Sequence, residues 1–145
     1  MSANWVNDIA DMHDKYGVNP VVREFDKDKL RAYLEFRHRF LQEELDEMKK
    51  AMDEFDAGSI DANTAADDIV DALIDLCVVA IGTLDAYDID SYVAWNRVHQ
   101  ANMKKEVGVK ASRPNPLGLP DLVKPEGWVA PTHNDNVGLV VKAFE

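Results

Sequence analysis

The sequence predicts an all-α fold, a bundle of about four main helices followed by an irregular Pro- and Gly-rich C-terminal tail. Three observations predict it. Apolar residues recur at three- and four-residue steps between Trp5 and Met103, the period of helices with one buried face. The runs are bounded by capping and stop residues, Asp26, Asp61 and Asp90 before them and Gly17, Gly58 and Gly108 after. Five of the six prolines fall beyond residue 113, where the periodicity has stopped.

Trp5, Ile9, Met12 and Tyr16 share one face of a short first helix, which Gly17 and Pro20 end, Asn19-Pro20 opening a connecting loop. Asp26 caps a long second helix reaching about Ala57. Its apolar stripe is Leu30, Tyr33, Leu34, Phe40, Leu41, Leu45, Met48, Met52 and Phe55. Asp61 or Thr64 caps a third helix to about Tyr87, apolar on almost every side from Ile69 to Ile81, a pattern that belongs in the middle of a bundle. Asp90 caps a fourth helix with Tyr92, Trp95, Val98 and Met103, ending near Lys105. Trp5 and Trp95 read as core. The tail, with Pro114, Pro116, Pro120, Pro125 and Pro131, reads as a non-helical strap with a short hairpin, held to the bundle by Trp128, Leu139, Val140 and Phe144. The expected division is a bundle over 1–107 and a strap over 108–145 packing on the same domain.

The charge balance narrows the partners. Against 27 Asp and Glu stand 16 Lys and Arg, a formal net charge of −11 in 145 residues. Such a chain disfavours nucleic acid polymers and anionic membranes, which are held by clustered Lys and Arg. The longest apolar run is interrupted by Asp71 and Asp75 and falls short of the roughly 20 residues that span a bilayer. A lone Cys77 forms no intrachain disulfide, and the opening residues lack a basic, then apolar, leader, so the expected location is the cytoplasm.

Most carboxylates, Asp53, Glu54, Asp85 and Asp88 among them, read as solvated helix faces and ends. Two clusters resist that reading. In Glu43-Glu44-Leu45-Asp46-Glu47, a turn of about 100° per residue sets Glu44 inside the apolar stripe, with Glu47 about 60° and Glu43 about 100° to its side. On the third helix Asp68, Asp71 and Asp75 fall within an arc of about 60°. Buried carboxylates without a partner cost several kcal/mol each or take up protons, so something positive must meet them. Buried Arg or Lys, a watery subunit boundary and a half-buried third helix are three alternatives. Lys49 and Lys50 lie on other faces, however, and Ile69 to Ile81 holds no cation. A hard divalent ion, Mg²⁺ or Mn²⁺, suits an all-oxygen set of Glu44, Glu47, Asp71 and Asp75. A di-iron site would need Glu-x-x-His twice, and the chain has it once, at Glu35 to His38.

The pairing of Glu43-Glu44-Leu45-Asp46-Glu47 with Asp71-Ala72-Leu73-Ile74-Asp75-Leu76 resembles the acidic motifs of the all-α nucleoside triphosphate pyrophosphohydrolases, the MazG-like superfamily. Its phosphoribosyl-ATP pyrophosphohydrolase-like branch is the closer match. Asp11-Met12-His13, Arg37 six residues before Glu43, Gly82-Thr83, the Asn102-Met103-Lys104-Lys105 segment and Lys124-Pro125-Glu126-Gly127-Trp128 extend the resemblance over nearly the whole chain. Where the superfamily often has Glu-x-x-Asp in its second motif, this chain offers Asp68-x-x-Asp71 or Asp71-x-x-x-Asp75, which leaves Asp68 an open candidate.

The resemblance implies hydrolysis between the α and β phosphates of a nucleotide, giving a monophosphate and pyrophosphate. It implies Glu44, Glu47 and Asp75 as metal ligands, Asp71 as a ligand or the orienter of a water, and Glu43 as a ligand or general base. Lys105 and Lys124 are expected to neutralise phosphates and Asn102 to bond sugar or phosphate; His13 is a candidate to face the base, with a packed or solvated histidine as the favoured rival reading. Asn102 and Lys105 have rival readings as a helix cap and a helix-end cation. Arg37 is expected to pair with Glu43 or a neighbouring carboxylate. Because the third helix needs cover on every face, a homodimer or homotetramer is expected. The alternatives are the same chemistry on phosphoribosyl-ATP or an alarmone, and a non-catalytic helical protein whose acidic stripe binds a basic partner.

Overall fold

In a computed structural model, which describes residues 1–113, 116–119 and 121–145, the chain is helical through its first two thirds. Pro114 and Pro120 of the expected strap lie outside the described residues. The elements are α1 (Trp5–Tyr16), α2 (Val18–Arg23), α3 (Lys27–Asp56), α4 (Ala62–Ala86), α5 (Ser91–Met103), β1 (Glu106–Gly108), β2 (Asp121–Val123) and a closing 3₁₀ helix, Gly138–Phe144. They fall into two compact units: Met1–Ser91 with Val137–Glu145, and Tyr92–Asn136. The expected boundary at 107/108 lies inside the second of these.

The caps act as their chemistry requires. Asp26 accepts the Lys29 N–H at 2.9 Å to open α3, and Asp61 rather than Thr64 opens α4, accepting the Thr64 N–H at 2.8 Å. Two expectations are corrected. Asn19-Pro20 lies within α2, not in a loop. Pro20 is the third residue of that helix, where its missing N–H would have had no intrahelical partner. The tail is not wholly irregular, since Gly138–Phe144 winds into the 3₁₀ helix.

α3 and α4 form an antiparallel hairpin across a five-residue connection, 57–61. At one end lies the core of the first unit: Val22, Leu30, Ala86, Tyr87 and Ala143, with Phe25, Tyr33, Leu34, Leu139 and Val140 packed on them. Tyr87 is fully buried, stacks on Tyr33 with ring centres 5.8 Å apart, and donates its hydroxyl to the Leu30 carbonyl at 2.6 Å. Burial pushes the Tyr87 hydroxyl up to about 12. The closing helix docks here because the Leu139 N–H donates to the Tyr87 carbonyl at 2.8 Å. Leu139 and Val140 thus pack as expected, whereas Phe144 is largely exposed under the Arg31 guanidinium, 4.6 Å from its ring centre.

α4 packs against α3, α1 and α2, yet part of its apolar surface stays exposed. Its Ala65, Ala72, Val79, Gly82 and Ala86 face inward, whereas Val70, Leu73 and Ile74 are exposed. Small residues let α3 approach one side of α4, while on another side Ile74, Cys77 and Ile81 line a hollow with Trp5 and Ile9 of α1. Trp5 is half exposed and Trp95 three-quarters exposed, so neither is core. On α1 the buried pair is Ile9 and His13, one turn apart, with Tyr16 exposed.

In the second unit, β1 pairs antiparallel with β2, Val107 opposite Leu122. This is the expected hairpin. Trp128 is fixed by its indole N–H, which donates to the Ala101 carbonyl of α5 at 2.7 Å. Arg97 grips Asp135 through two nitrogens at 2.6 and 2.8 Å and also donates to the Thr132 carbonyl.

Candidate active site

The α3–α4 seam carries the acidic cluster. α3 presents Glu43, Glu44 and Glu47 and α4 presents Asp68, Asp71 and Asp75, and the antiparallel packing sets the middle of one against the middle of the other. Glu44 and Asp75 are half-buried, whereas Glu43, Glu47, Asp68 and Asp71 are exposed. Of the two acids in the apolar stretch of α4, Asp75 is thus partly withdrawn from water and Asp71 is not, which matches the alternative of a half-buried third helix. The open side of α4 gives Asp71 water.

Glu44 is the centre of the group. Its Oε2 is buried and has no hydrogen-bond partner. Burial pushes the Glu44 carboxyl above its ordinary range, and the charges of Glu47, Asp75, Asp71 and Glu43 push it further in the same direction. Asp68 is not among the charges that act on it.

Among the described residues, no Lys or Arg forms an ion pair with these carboxylates. Lys49 pairs with Asp53 and Lys50 with Glu54, each one turn along the same helix. Arg37, expected to meet Glu43 or a neighbour, instead donates from Nε to Thr83 Oγ1 and from Nη2 to the Val79 carbonyl, both at 2.9 Å. The charge and hardness of this donor set fit a divalent cation, and the orphaned Glu44 oxygen is an acceptor awaiting a partner. Among the described residues, no three His, Cys, Asp or Glu side chains are drawn closely enough to hold an ion as they stand. Repulsion between like charges opposes such convergence.

His13, a candidate to face the base, takes the rival packed position, turned inward with 5% of its surface exposed. Its Nδ1 lies 2.7 Å from Asp85 Oδ2, which also accepts the Asn19 amide at 2.9 Å. An ionised carboxylate only accepts, so Nδ1 carries the proton and Nε2 is left facing the α3 side of α4. Asp85, read from sequence as solvated, is the anchor of this interior network. Asp88 is also engaged, taking Arg23 at 2.7 Å, which holds its carboxyl below the usual range.

In the second unit, Lys105 and Lys124 come together over one ring, their Nζ atoms 5.4 and 4.9 Å from the centre of Trp128. Asn102 is exposed in the last turn of α5, and its carbonyl accepts the Lys105 N–H at 3.1 Å. The ammonium groups form no ion pair with the described carboxylates and are available to an anion.

Sequence reading missed the partners of Arg37 and His13. Both had a signal. Arg37 stands seven residues before Glu44, on nearly the same helical face, and His13 stands one turn after Ile9, on the buried face of α1.

Among the described residues, no helix is long and apolar enough to cross a membrane. No curated protein matches the chain. A family model described as phosphoribosyl-ATP pyrophosphohydrolase matches residues 22–102. The span takes in α3, α4 and most of α5, hence every acidic candidate and Asn102, and leaves out His13, Lys105 and Lys124. With over half its length matched, and both acidic helices within the match, the chain belongs to the phosphoribosyl-ATP pyrophosphohydrolase family of the MazG-like all-α superfamily and is a hydrolase of phosphoric anhydrides acting on a nucleotide-like substrate.

Proposed function

We propose that the chain is a metal-dependent nucleoside triphosphate pyrophosphohydrolase, cleaving the α–β phosphoanhydride of a nucleotide or deoxynucleotide to a monophosphate and pyrophosphate. The observation that supports this most is the Glu44 carboxylate, half-buried, unpartnered at Oε2 and acted on by the charges of four other acids. Glu44, Glu47, Asp71 and Asp75 would hold Mg²⁺ or Mn²⁺, with Asp68 as a peripheral donor. Such an ion, when bound, neutralises phosphate charge and lowers the pKa of a water.

The chain's own residues divide the remaining work. Glu43, exposed beside Glu44, is placed to accept the proton of the attacking water. As the new P–O bond forms and the bridging bond breaks, negative charge moves onto the departing pyrophosphate. Lys105 and Lys124 supply positive charge for phosphates, and Asn102 a hydrogen-bond donor for sugar or phosphate. His13, being buried, supports the helices rather than touching substrate. A second copy of the chain covers the exposed face of α4, making a homodimer or homotetramer. The free Cys77 suits a reducing cytoplasm.

The test is a pyrophosphate-release screen of the common dNTPs and NTPs and of phosphoribosyl-ATP, with Mg²⁺ and Mn²⁺, beside Glu47→Gln and Asp75→Asn. One substrate class should stand out. Replacing a ligand should cost no less than disturbing a ligand's neighbour, so each variant is expected to lose about 100-fold or more. Turnover surviving in both variants would remove the proposed site.

A further inference from the structure

The acidic side chains face each other only while α3 and α4 keep one register. A slip of one residue along either helix moves a carboxylate by about 1.5 Å and turns it by about 100°. What fixes that register is therefore part of the site. Small residues of α4, Ala65, Ala72, Gly82 and Ala86 among them, let the helices approach closely, and a directional polar contact adds to that packing in fixing the register.

A directional contact lies on the same seam. Arg37 precedes Glu44 by seven residues, two turns along nearly the same face. Val79 and Thr83 follow Asp75 by four and eight, again on one face. Between them the guanidinium spans the helices, Nε to Thr83 Oγ1 and Nη2 to the Val79 carbonyl. Thr83 Oγ1 in turn donates to that same carbonyl at 2.7 Å. A planar fork held by two acceptors one turn apart tolerates little sliding.

The surroundings hold Arg37 in place. On its own helix it lies over Tyr33 and Phe40, with ring centres 6.0 and 5.6 Å away. On α4 it comes so close to Gly82 that a Cβ there would stand 3.0 Å from Nη2 and 3.2 Å from His13 Nε2. His13, anchored by Asp85 and Asn19, closes the far side of that notch. Arg37 makes no ion pair with the described carboxylates, and both its bonded oxygens are neutral. The contact consequently sets the register without drawing an acid away from the cluster.

We propose that Arg37, through Thr83 and the Val79 carbonyl, is a positioning residue that holds Glu44 opposite Asp71 and Asp75 and so sets the affinity of the cluster for a divalent cation. This rests on the metal-binding reading of the cluster given above. The experiment is titration of Mn²⁺ into wild-type protein, Thr83→Val, Thr83→Ser and Arg37→Lys, reading free Mn²⁺ by electron paramagnetic resonance, with circular dichroism to establish that each is folded. Thr83→Val keeps the shape and removes the hydroxyl. It should weaken Mn²⁺ binding about 10-fold or more, as loss of a ligand's supporting contacts does. Thr83→Ser, which keeps the hydroxyl, should bind as wild type, and Arg37→Lys, which loses the fork, should resemble Thr83→Val. A merely structural contact would lower the melting temperature of Thr83→Val and Arg37→Lys and leave Mn²⁺ affinity of the folded proteins unchanged, which would overturn the proposal. Lack of Mn²⁺ binding by wild-type protein would overturn the metal reading itself, a distinguishable result.

Discussion

Glu44 concentrates the physics of the site into one residue. Its carboxyl titrates above the ordinary range because burial and four like charges disfavour its ionised form. An acid with a raised folded-state pKa binds protons more tightly folded than unfolded. Its effect on stability is therefore favourable at low pH and is lost as pH rises through the window between the unfolded and folded values. At neutral pH the ionised carboxylate is a liability to the metal-free fold. Glu44→Gln should accordingly raise the melting temperature of metal-free protein, by about 2 °C for a chain of this size, while abolishing turnover. Wild-type protein should gain melting temperature with millimolar Mn²⁺, and Glu44→Gln should gain much less. Differential scanning calorimetry in chelator and in Mn²⁺ checks both signs. A variant less stable than wild type in chelator would mean that the carboxylate has a cationic partner after all.

At the scale of elements, the closing 3₁₀ helix depends on a glycine. Gly138 has φ of 51°, and a Cβ there would stand 1.9 Å from the Tyr87 carbonyl oxygen, a backbone atom that cannot step aside. Gly138→Ala should thus undock the helix from Tyr87 and cost about 2 kcal/mol or more, measured by urea unfolding. Nothing in the sequence around Gly138 announces this, because the conflict is with a residue 51 positions earlier. The longer elements were legible for the opposite reason. Asp26, Gly58 and Asp61 act within a few residues of where they stand, and the periodicity of α3 and α4 is local. The acidic cluster was legible too, since helical geometry alone puts Glu44 on an apolar face. Its exposure was not. Whether Asp71 meets water depends on which elements flank α4, and no local pattern carries that. Likewise Asp85 looked like any acid near a helix end until His13 and Asn19 of α1 and α2 were folded against it.

At the scale of the first unit, the outer side of α4 is apolar and open. Val70, Leu73 and Ile74 lie exposed on α4, and Trp5 of α1, together with Ile74 and Cys77, lines a small hollow of about 180 Å³ on that side. Exposed apolar side chains on such a helix, in a protein carrying 11 net negative charges, suit the proposal that a second copy covers this face. A self-complementary contact about a two-fold axis would place α4 of one copy against α4 of its partner and bury this stripe twice over. Ile74 sits one residue from Asp75 and points away from the α3 seam. A charge placed there disturbs the proposed contact between copies without entering the carboxylate cluster. Ile74→Glu should therefore shift sedimentation equilibrium from an oligomer of wild-type chains toward monomer. If the second copy also steadies α4, Mn²⁺ affinity should fall along with association and recover as protein concentration rises. Wild-type chains that sediment as monomers at all concentrations, or an Ile74→Glu variant that associates as wild type does, would show that this face is covered by something other than its own copy.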